Sequence, residues 1–556
     1  MNSKGPIGQD EGEGVPDARQ RLLAWLNAPR TAKARLLVFL LATMSCVLAV
    51  APYHEFSWHV HADEKGKIEQ IRDDTRNHHH PLLNLAIVDA AVTVFGVDRD
   101  DPHAVAVAGR RVSIALMGIA GGLIVLCAFE LAALPAAAAT WLLLVFHPRM
   151  FRFAHFFKED PAMLVGVGLI TWLLIRWFRD GRGWSQRRRW LWMIALGVSL
   201  AIAGTSKWVG YFWMPWALLA VAALCPKDLC LPFRKRLGFA AVIALTALLV
   251  SGGVQWRAFV EKEQLQKSFA SEVERLGDTE YSKNQESVPH GAYFDAMKGK
   301  PARVTLVLGL VYFLALLLNR MPWRRSSAEL CVVVPILAYL LALSFIAKTA
   351  DRYLLPGYAF FCLFAALGVV CLWYWASGLK RSGVRLAALV LATALLVFSS
   401  YRMFRAYQWE IDGVTSFELQ EALADWLRDE LPVDARLLYS DRVALVDPTY
   451  PEQFSRDVTE TEIADLPFSV SYVAEWESYD DIDGLRAAGF THAVLGADEW
   501  RKGKAQAALA DPKSQRSRFW VSFFGDAEKL HEVKKQKEWG SHFQHKAYIY
   551  SLGTGD

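Results

Sequence analysis

The chain is short of charge and of cysteine. Charged residues make up only 21% of 556, and 61 Lys and Arg against 57 Asp and Glu leave a net charge of +4. That balance provides no basic field for nucleic acid. The seven cysteines, Cys46, Cys127, Cys225, Cys230, Cys331, Cys362 and Cys371, lie in apolar blocks or in the loop after residue 224. So sparse a set excludes a disulfide-built secreted scaffold and leaves everything beyond residue 400 without a disulfide. Cys225 and Cys230 are too few for a zinc site and read as small apolar fillers. Internal repeats, a P-loop and a glycine fingerprint following a strand are also missing, which removes the common nucleotide-binding signatures.

Apolar surface is what the chain has instead. Hydrophobic residues reach 53% and aromatics 12%, with a mean hydropathy of +0.18, which excludes disorder. The excess is concentrated between about residues 36 and 400 in blocks near 20 residues long, the length that crosses a hydrocarbon core of about 30 Å. Eleven spans are expected, at 36–52, 111–129, 131–147, 161–177, 190–205, 208–225, 237–254, 302–319, 328–347, 353–375 and 384–400. Residues 1–16 read as disordered and 17–35 as a basic interfacial stretch. No cleavage pattern follows the first block, so it is expected to remain a span.

Arginine and lysine set the orientation. With the N-terminus cytoplasmic, the inward connections carry Arg176, Arg179, Arg182 and Arg187–Arg189, then Lys227 and Arg234–Arg236, then Arg320, Arg324 and Arg325, then Lys380, Arg381 and Arg385. That alternation is the cytoplasmic bias of basic loops. It places residues 405–556 outside, in the periplasm if the host is Gram-negative, and the expected setting is a bacterial plasma (inner) membrane. Three parts result: a tail over 1–35, a transmembrane domain over 36–404 with outer loops at 53–110 and 255–301, and a soluble α/β domain over 405–556. In the loops, 61–76 and 255–275 read as helices. In the tail, Thr415 and Glu418 fit a capping box before a helix over 417–431. Strands are expected at 435–441, 491–497 and 546–552, with a helix ending near Gly489.

Polar clusters gather at the outer ends of the spans. Asp63-Glu64 follows the first span; Asp63 suits either a general base or the N-cap of a helix over 64–74. Lys158-Glu159-Asp160-Pro161 opens the fourth span. There Asp-Pro is a helix-start signature, but adjacent charges at a membrane boundary are costly and often functional. Asn77-His78-His79-His80-Pro81 is either a metal-capable run or a surface histidine run. Thr205-Ser206-Lys207-Trp208 and Lys348-Thr349-Ala350-Asp351-Arg352-Tyr353 place a lysine and an arginine at the same boundary. They can hold a lipid-linked phosphate or serve as interface anchors.

The order of these motifs, Asp63-Glu64, His79-His80-Pro81-Leu82, Phe95-Gly96, Arg110-Arg111 and Glu159-Asp160-Pro161, resembles the GT-C superfamily of glycosyltransferases. Within it, the order resembles the branch of the dolichyl-phosphate-mannose–protein mannosyltransferases and the lipid A aminoarabinose transferase. Thr205-Ser206-Lys207-Trp208-Val209-Gly210 and Arg352-Tyr353-Leu354-Leu355-Pro356 are similar to stretches of those enzymes. The resemblance, over roughly 36–400, implies an inverting transfer of sugar from a polyprenyl-phosphate donor to an acceptor hydroxyl on a glycan, a lipid such as lipid A, or a protein. It implies Asp63 as base, assisted by Glu64, Glu159 and Asp160. Lys207, Arg352, Tyr353 and Lys158 would receive the donor phosphate, and His79 and His80 would face a sugar; no cofactor is expected, although the two carboxylate pairs with His79 could hold a divalent ion. The partners are then the lipid-linked donor, membrane lipids and the acceptor, with no nucleic acid. Asn84 stands where the mannosyltransferases carry a lysine, which points away from protein-hydroxyl mannosylation. A transporter or flippase of a lipid-linked or small anionic substrate is the alternative, and a scaffold presenting the outer domain is a third. The lack of internal symmetry and the clustering of charge at one face favour the enzyme.

Overall fold

In the computed structural model the structure describes residues 18–26, 30–53, 62–76, 78, 81–224, 231–263, 265–268, 270, 302–323, 327–344, 351–415, 418–440, 460–461, 469–473, 476–534 and 546–553. Among them, seven helices are long and apolar enough to cross a membrane: Ala32–Tyr53, Pro102–Leu144, Asp160–Gly183, Gln186–Ser206, Phe233–Val254, Arg352–Ser377 and Ser382–Ile411. Shorter apolar helices occupy Trp208–Ala222, Arg303–Leu317 and Ser327–Leu343, where spans were also expected, and Leu83–Val94, where none was. The chain is a multi-pass membrane protein built of these helices, with a small sheet domain after them.

The helix Pro102–Leu144 contains two of the expected spans. Its path breaks at Ala132 (φ −141°, ψ 35°) and Ala133 (φ 57°, ψ −157°), just before Pro135. A methyl built on Gly121 would lie 3.8 Å from Leu144 Cδ2. Residues so far apart in one straight helix cannot meet, so the chain doubles back at the break. The carbonyls left open there are capped by arginines. Arg30 Nε donates to Phe129 O at 3.1 Å, Arg179 Nη2 to Leu131 O at 2.9 Å, and Arg179 Nη1 to Glu130 O. Glu130, 1% exposed, pairs with Arg35 at 2.6 Å. An unpaired carbonyl in a bilayer costs several kcal/mol, so these side chains are what permit the break.

Helix Asp160–Asp180 runs from one end of the bundle to the other, about 30 Å at 1.5 Å per residue. At its C-terminal end lies the arginine network around Glu130; at its N-terminal end lies the cluster described below. It crosses Gln186–Ser206 at close range: a methyl on Gly166 would come within 2.5 Å of Ala203 N. Beyond Ser206 the chain turns through Trp208–Phe212, and a methyl on Gly210 would collide with the Ala203 carbonyl. Two glycines therefore let three stretches of backbone touch where Lys207 emerges.

Helix Ser382–Thr415 continues well past the expected span at 384–400 and runs through the boundary read at 404–405. On its extension Glu410 pairs with Arg152 of the short helix Pro148–Ala154, with Nε–Oε2 at 2.8 Å. At the other end of the bundle, Arg19 of the helix Ala18–Leu26 donates to Tyr374 OH at 2.6 Å. The cysteines expected as fillers at 225 and 230, and Lys348–Ala350, lie outside the described residues, as do residues 271–301 of the second long loop and the Thr415 side chain of the capping box.

The C-terminal domain is a six-stranded mixed sheet. Its strands are β1 (Arg436–Ser440), β2 (Glu460–Thr461), β3 (Ser469–Val473), β4 (His492–Gly496), β5 (Glu528–Lys534) and β6 (Lys546–Ser551), in the order β2-β3-β1-β4-β6-β5. β1 pairs in parallel with β3 and β4, while β6 runs antiparallel between β4 and β5. Alternation along the strands sends side chains to two faces. Leu437 and Val494 pack with Leu423 and Leu427 of the helix Glu418–Glu430, and Leu438 and Ala493 pack with Phe519, Trp520 and Phe523 of Gln515–Asp526. β2, β3, β5 and the two helices between β4 and β5 had no counterpart in the sequence reading.

Candidate active site

Three buried carboxylates meet four buried cations where helix Asp160–Asp180 begins. Glu64 lies in the helix Ala62–Arg72. It faces Arg110 in a two-pronged pair, Nε–Oε1 3.1 Å and Nη2–Oε2 3.1 Å, and also accepts the Phe157 amide at 2.6 Å. Lys67, one turn later on the same helix face, donates to the Phe157 carbonyl at 3.0 Å and to Glu159 Oε2 at 2.5 Å. Glu64 and Lys67 thus hold the two sides of residue 157. Lys207 pairs with Asp160 Oδ1 and lies 4.6 Å from the centre of the Tyr353 ring.

The local sequence explains this assembly. Pro161 at the helix start fixes the entry of Asp160–Asp180. Glu159 takes the capping position without a side-chain cap, so Asp160 is inside the first turn with its carboxylate on Lys207. The helix-start reading of Asp-Pro therefore accounts for the proline and not for the acid. Asp63 likewise sits inside the first turn of Ala62–Arg72 rather than ahead of it. The Lys158 peptide is fixed by Ser113, whose hydroxyl accepts from Lys158 N at 3.1 Å. Tyr353 is held through its carbonyl, which accepts from Tyr339 OH at 2.8 Å, and Arg352 lies 6.0 Å from the Tyr353 ring.

The structure therefore brings together Glu64, Lys158, Glu159, Asp160, Lys207 and Tyr353, all buried, with Arg352 partly exposed beside them. His79, His80 and the Asp63 side chain lie outside the described residues. The neighbouring His78 is buried, with Nε2 2.7 Å from Glu261 Oε2, so it ties the first outer loop to the second. Beside that tie, Arg257 bonds Asp74 at 2.7 Å, and this contact holds the Asp74 carboxyl below its ordinary range. Lys67 was not singled out from the sequence. Its spacing from Glu64 was the only signal, and that spacing is common on any helix. Arg110 entered only through the order of motifs.

Of the buried charged side chains here, Lys67, Arg110, Lys158 and Lys207 are cations, against Glu64, Glu159 and Asp160. Taking such charges out of water is tolerable only when each is paired. The arrangement can receive an anion beside acids that are held in fixed positions. Among the described residues, no group of three or more His, Cys, Asp or Glu converges as a metal site would require.

Residues 98–252 match the dolichyl-phosphate-mannose-protein mannosyltransferase family. The fold is similar to that of ArnT from Cupriavidus metallidurans bound to undecaprenyl phosphate, with a TM-score of 0.51 and 14% identity, covering 94% of this chain and 99% of that one. It is also similar to the archaeal oligosaccharyltransferase AglB from Archaeoglobus fulgidus, in complex with an inhibitory peptide and a dolichol-phosphate. There the TM-score is 0.50 at 12% identity, over 92% of this chain and 74% of that one. At these identities the likeness is one of fold. No curated protein sequence matches the chain.

Proposed function

On the premise of a multi-pass membrane protein with the GT-C glycosyltransferase fold, we propose that the chain moves a sugar from a polyprenyl-phosphate donor to an acceptor hydroxyl with inversion. The reaction would take place at the extracytoplasmic face of a bacterial inner membrane, with the N-terminus cytoplasmic and the sheet domain periplasmic. The observation that carries this reading is the Lys207–Asp160 pair against Tyr353, with Arg352 beside it. It is a cationic, aromatic-walled corner at the end of a membrane bundle. A phosphate at the head of a lipid fits that chemistry. The lipid phosphates bound to ArnT and to the archaeal oligosaccharyltransferase are consistent with it.

In this reading the acceptor oxygen attacks the anomeric carbon as the bond to the phosphate oxygen breaks. The acceptor proton passes to the Asp63 carboxylate, and the electron pair leaves with the polyprenyl phosphate. Lys207, Arg352 and Lys158 offset the charge that develops there, with Tyr353 as the wall. Glu159 and Asp160 orient the acceptor and tune Asp63. His79 and His80 face a sugar, and no metal takes part. Glu64 is a positioning residue: it is committed to Arg110 and the Phe157 amide. The acceptor class remains a glycan, a lipid such as lipid A, or a protein.

Native mass spectrometry of the protein, purified gently from its own membranes, tests the donor. A polyprenyl phosphate bearing one sugar is the expected bound species. Its absence across several detergents would return the chain to the transporter reading. Asp63→Asn is expected to abolish transfer while membrane insertion and the melting temperature stay as in the wild type. Full activity in that variant would remove Asp63 as the base.

A further inference from the structure

The helix Leu83–Val94 starts without a cap: Leu82 holds the capping position and offers no side-chain bond, and no acid lies in the first turn. In that first turn Asn84 is 2% exposed, and both its Nδ2 and its Oδ1 are buried without a hydrogen-bond partner among the described residues. A buried amide with neither end satisfied carries the full desolvation penalty of both groups. Natural interiors rarely keep such a group unless something outside the chain completes it.

Its neighbourhood says where the missing partner sits. Leu85, the next residue, belongs to the apolar cluster that holds Ile68, Ile71 and Phe157. Phe157 is the residue whose peptide Glu64 and Lys67 grip. The start of the helix that carries Asn84 therefore packs beside the charged cluster. Its chemistry narrows the partner. A carboxamide offers two N–H donors and one acceptor oxygen. A phosphate would accept from Nδ2 and leave Oδ1 bare; a cation would take Oδ1 and leave Nδ2. A hydroxyl group both donates and accepts, and two neighbouring hydroxyls satisfy both atoms at once.

We propose that Asn84 is a specificity-determining residue that hydrogen-bonds hydroxyl groups of the sugar carried by the lipid donor. The proposal rests on the donor reading above and adds the sugar contact to it. It has a consequence that a structural role does not share. Replacing an orphaned buried amide with an apolar group of the same shape is neutral or stabilising, so Asn84→Leu should keep or raise the melting temperature while impairing recognition of the sugar.

The test uses full-length protein in lipid nanodiscs. Thermal unfolding is followed without ligand, and binding is measured to undecaprenyl phosphate and to undecaprenyl phosphates carrying glucose, mannose, galactose or aminoarabinose. For the sugar-bearing lipid that the wild type prefers, Asn84→Leu should weaken binding by about tenfold or more, leave the bare lipid bound as before, and not lower the melting temperature. A lower melting temperature with unchanged lipid preference makes Asn84 structural and overturns the proposal. So does equal weakening for bare and sugar-bearing lipid, which would assign Asn84 to the phosphate, and so does a wild type that gains no affinity from any of the sugars. A wild type that binds none of the lipids, bare lipid included, brings down the donor reading itself.

Discussion

Glu64 and Arg110 form a two-pronged ion pair at 3.1 Å on both arms, each side chain almost wholly sealed from solvent. The same carboxylate takes the Phe157 amide, so this pair and Lys67 lock the helix Ala62–Arg72 onto the segment that leads into Asp160.

Removing one member of this pair should be worse than removing both. Glu64→Ala takes from the buried Arg110 charge its two-pronged partner, a loss of about 3–5 kcal/mol. The double change Glu64→Leu with Arg110→Met should recover most of that stability, because the desolvation cost of both charges disappears with them. Thermal unfolding of the three proteins decides it; a double variant no more stable than the single one sinks the account.

Lys207 should not tolerate exchange for another cation. Lys207→Met is expected to reduce turnover by about a hundredfold or more, the scale of losing one charge-stabilising contact at a reaction centre. Lys207→Arg should rescue little, since a planar fork cannot replace a compact ammonium between Asp160 and the Tyr353 ring. Steady-state rates with the donor identified by mass spectrometry are the readout, and a fully active Lys207→Arg would contradict the geometry.

Arg152 and Glu410 join the short helix Pro148–Ala154 to the extension of Ser382–Thr415. Their side chains are only 4% and 14% exposed. Arg152→Ala should cost about 3 kcal/mol, while the charge swap Arg152→Glu with Glu410→Arg should restore a good part of it. Protection of residues 405–415 from hydrogen exchange reports on the joint. Protection that is unchanged in Arg152→Ala would show that the pair does not hold the extension.

His492 should make the sheet domain acid-sensitive. It lies on β4 opposite Leu437, and partial burial holds its imidazole below the ordinary value of 6.5. A group whose folded pKa is depressed contributes stability that is present above the unfolded value and lost as pH falls through the folded one. Stability should therefore decline as pH drops from about 6.5. His492→Gln should flatten that part of the melting-temperature profile. An unchanged slope assigns the acid sensitivity to other groups.

The sequence was a good guide wherever one physical requirement acts locally. A block of about 20 apolar residues must cross or be buried, so the helical bundle was readable. Alternating apolar residues near 437, 494 and 549 mark strands with two covered faces, so part of the α/β domain was readable too. β5 was not, because its run of Lys, Glu and His gives little alternation to read. The doubling back at Ala132–Ala133 was legible as two separate spans. Its arginine caps were not, since Arg30 and Arg179 reach it from distant segments.

The sequence by itself determined that the chain is a multi-pass helical membrane protein and fixed the order of the acidic and basic motifs along it. Hydropathy and span length are enough for that, because each depends on neighbours along the chain. Only the tertiary structure decided which charge meets which. Nothing in the spacing says that Glu64 would go to Arg110, that Lys67 would take Glu159, or that Lys207 would leave its turn for Asp160. Those choices follow from the close crossing of two helices at Gly166 and Ala203, from the turn at Gly210, and from the cost of burying any charge without a partner, which only the packed bundle imposes.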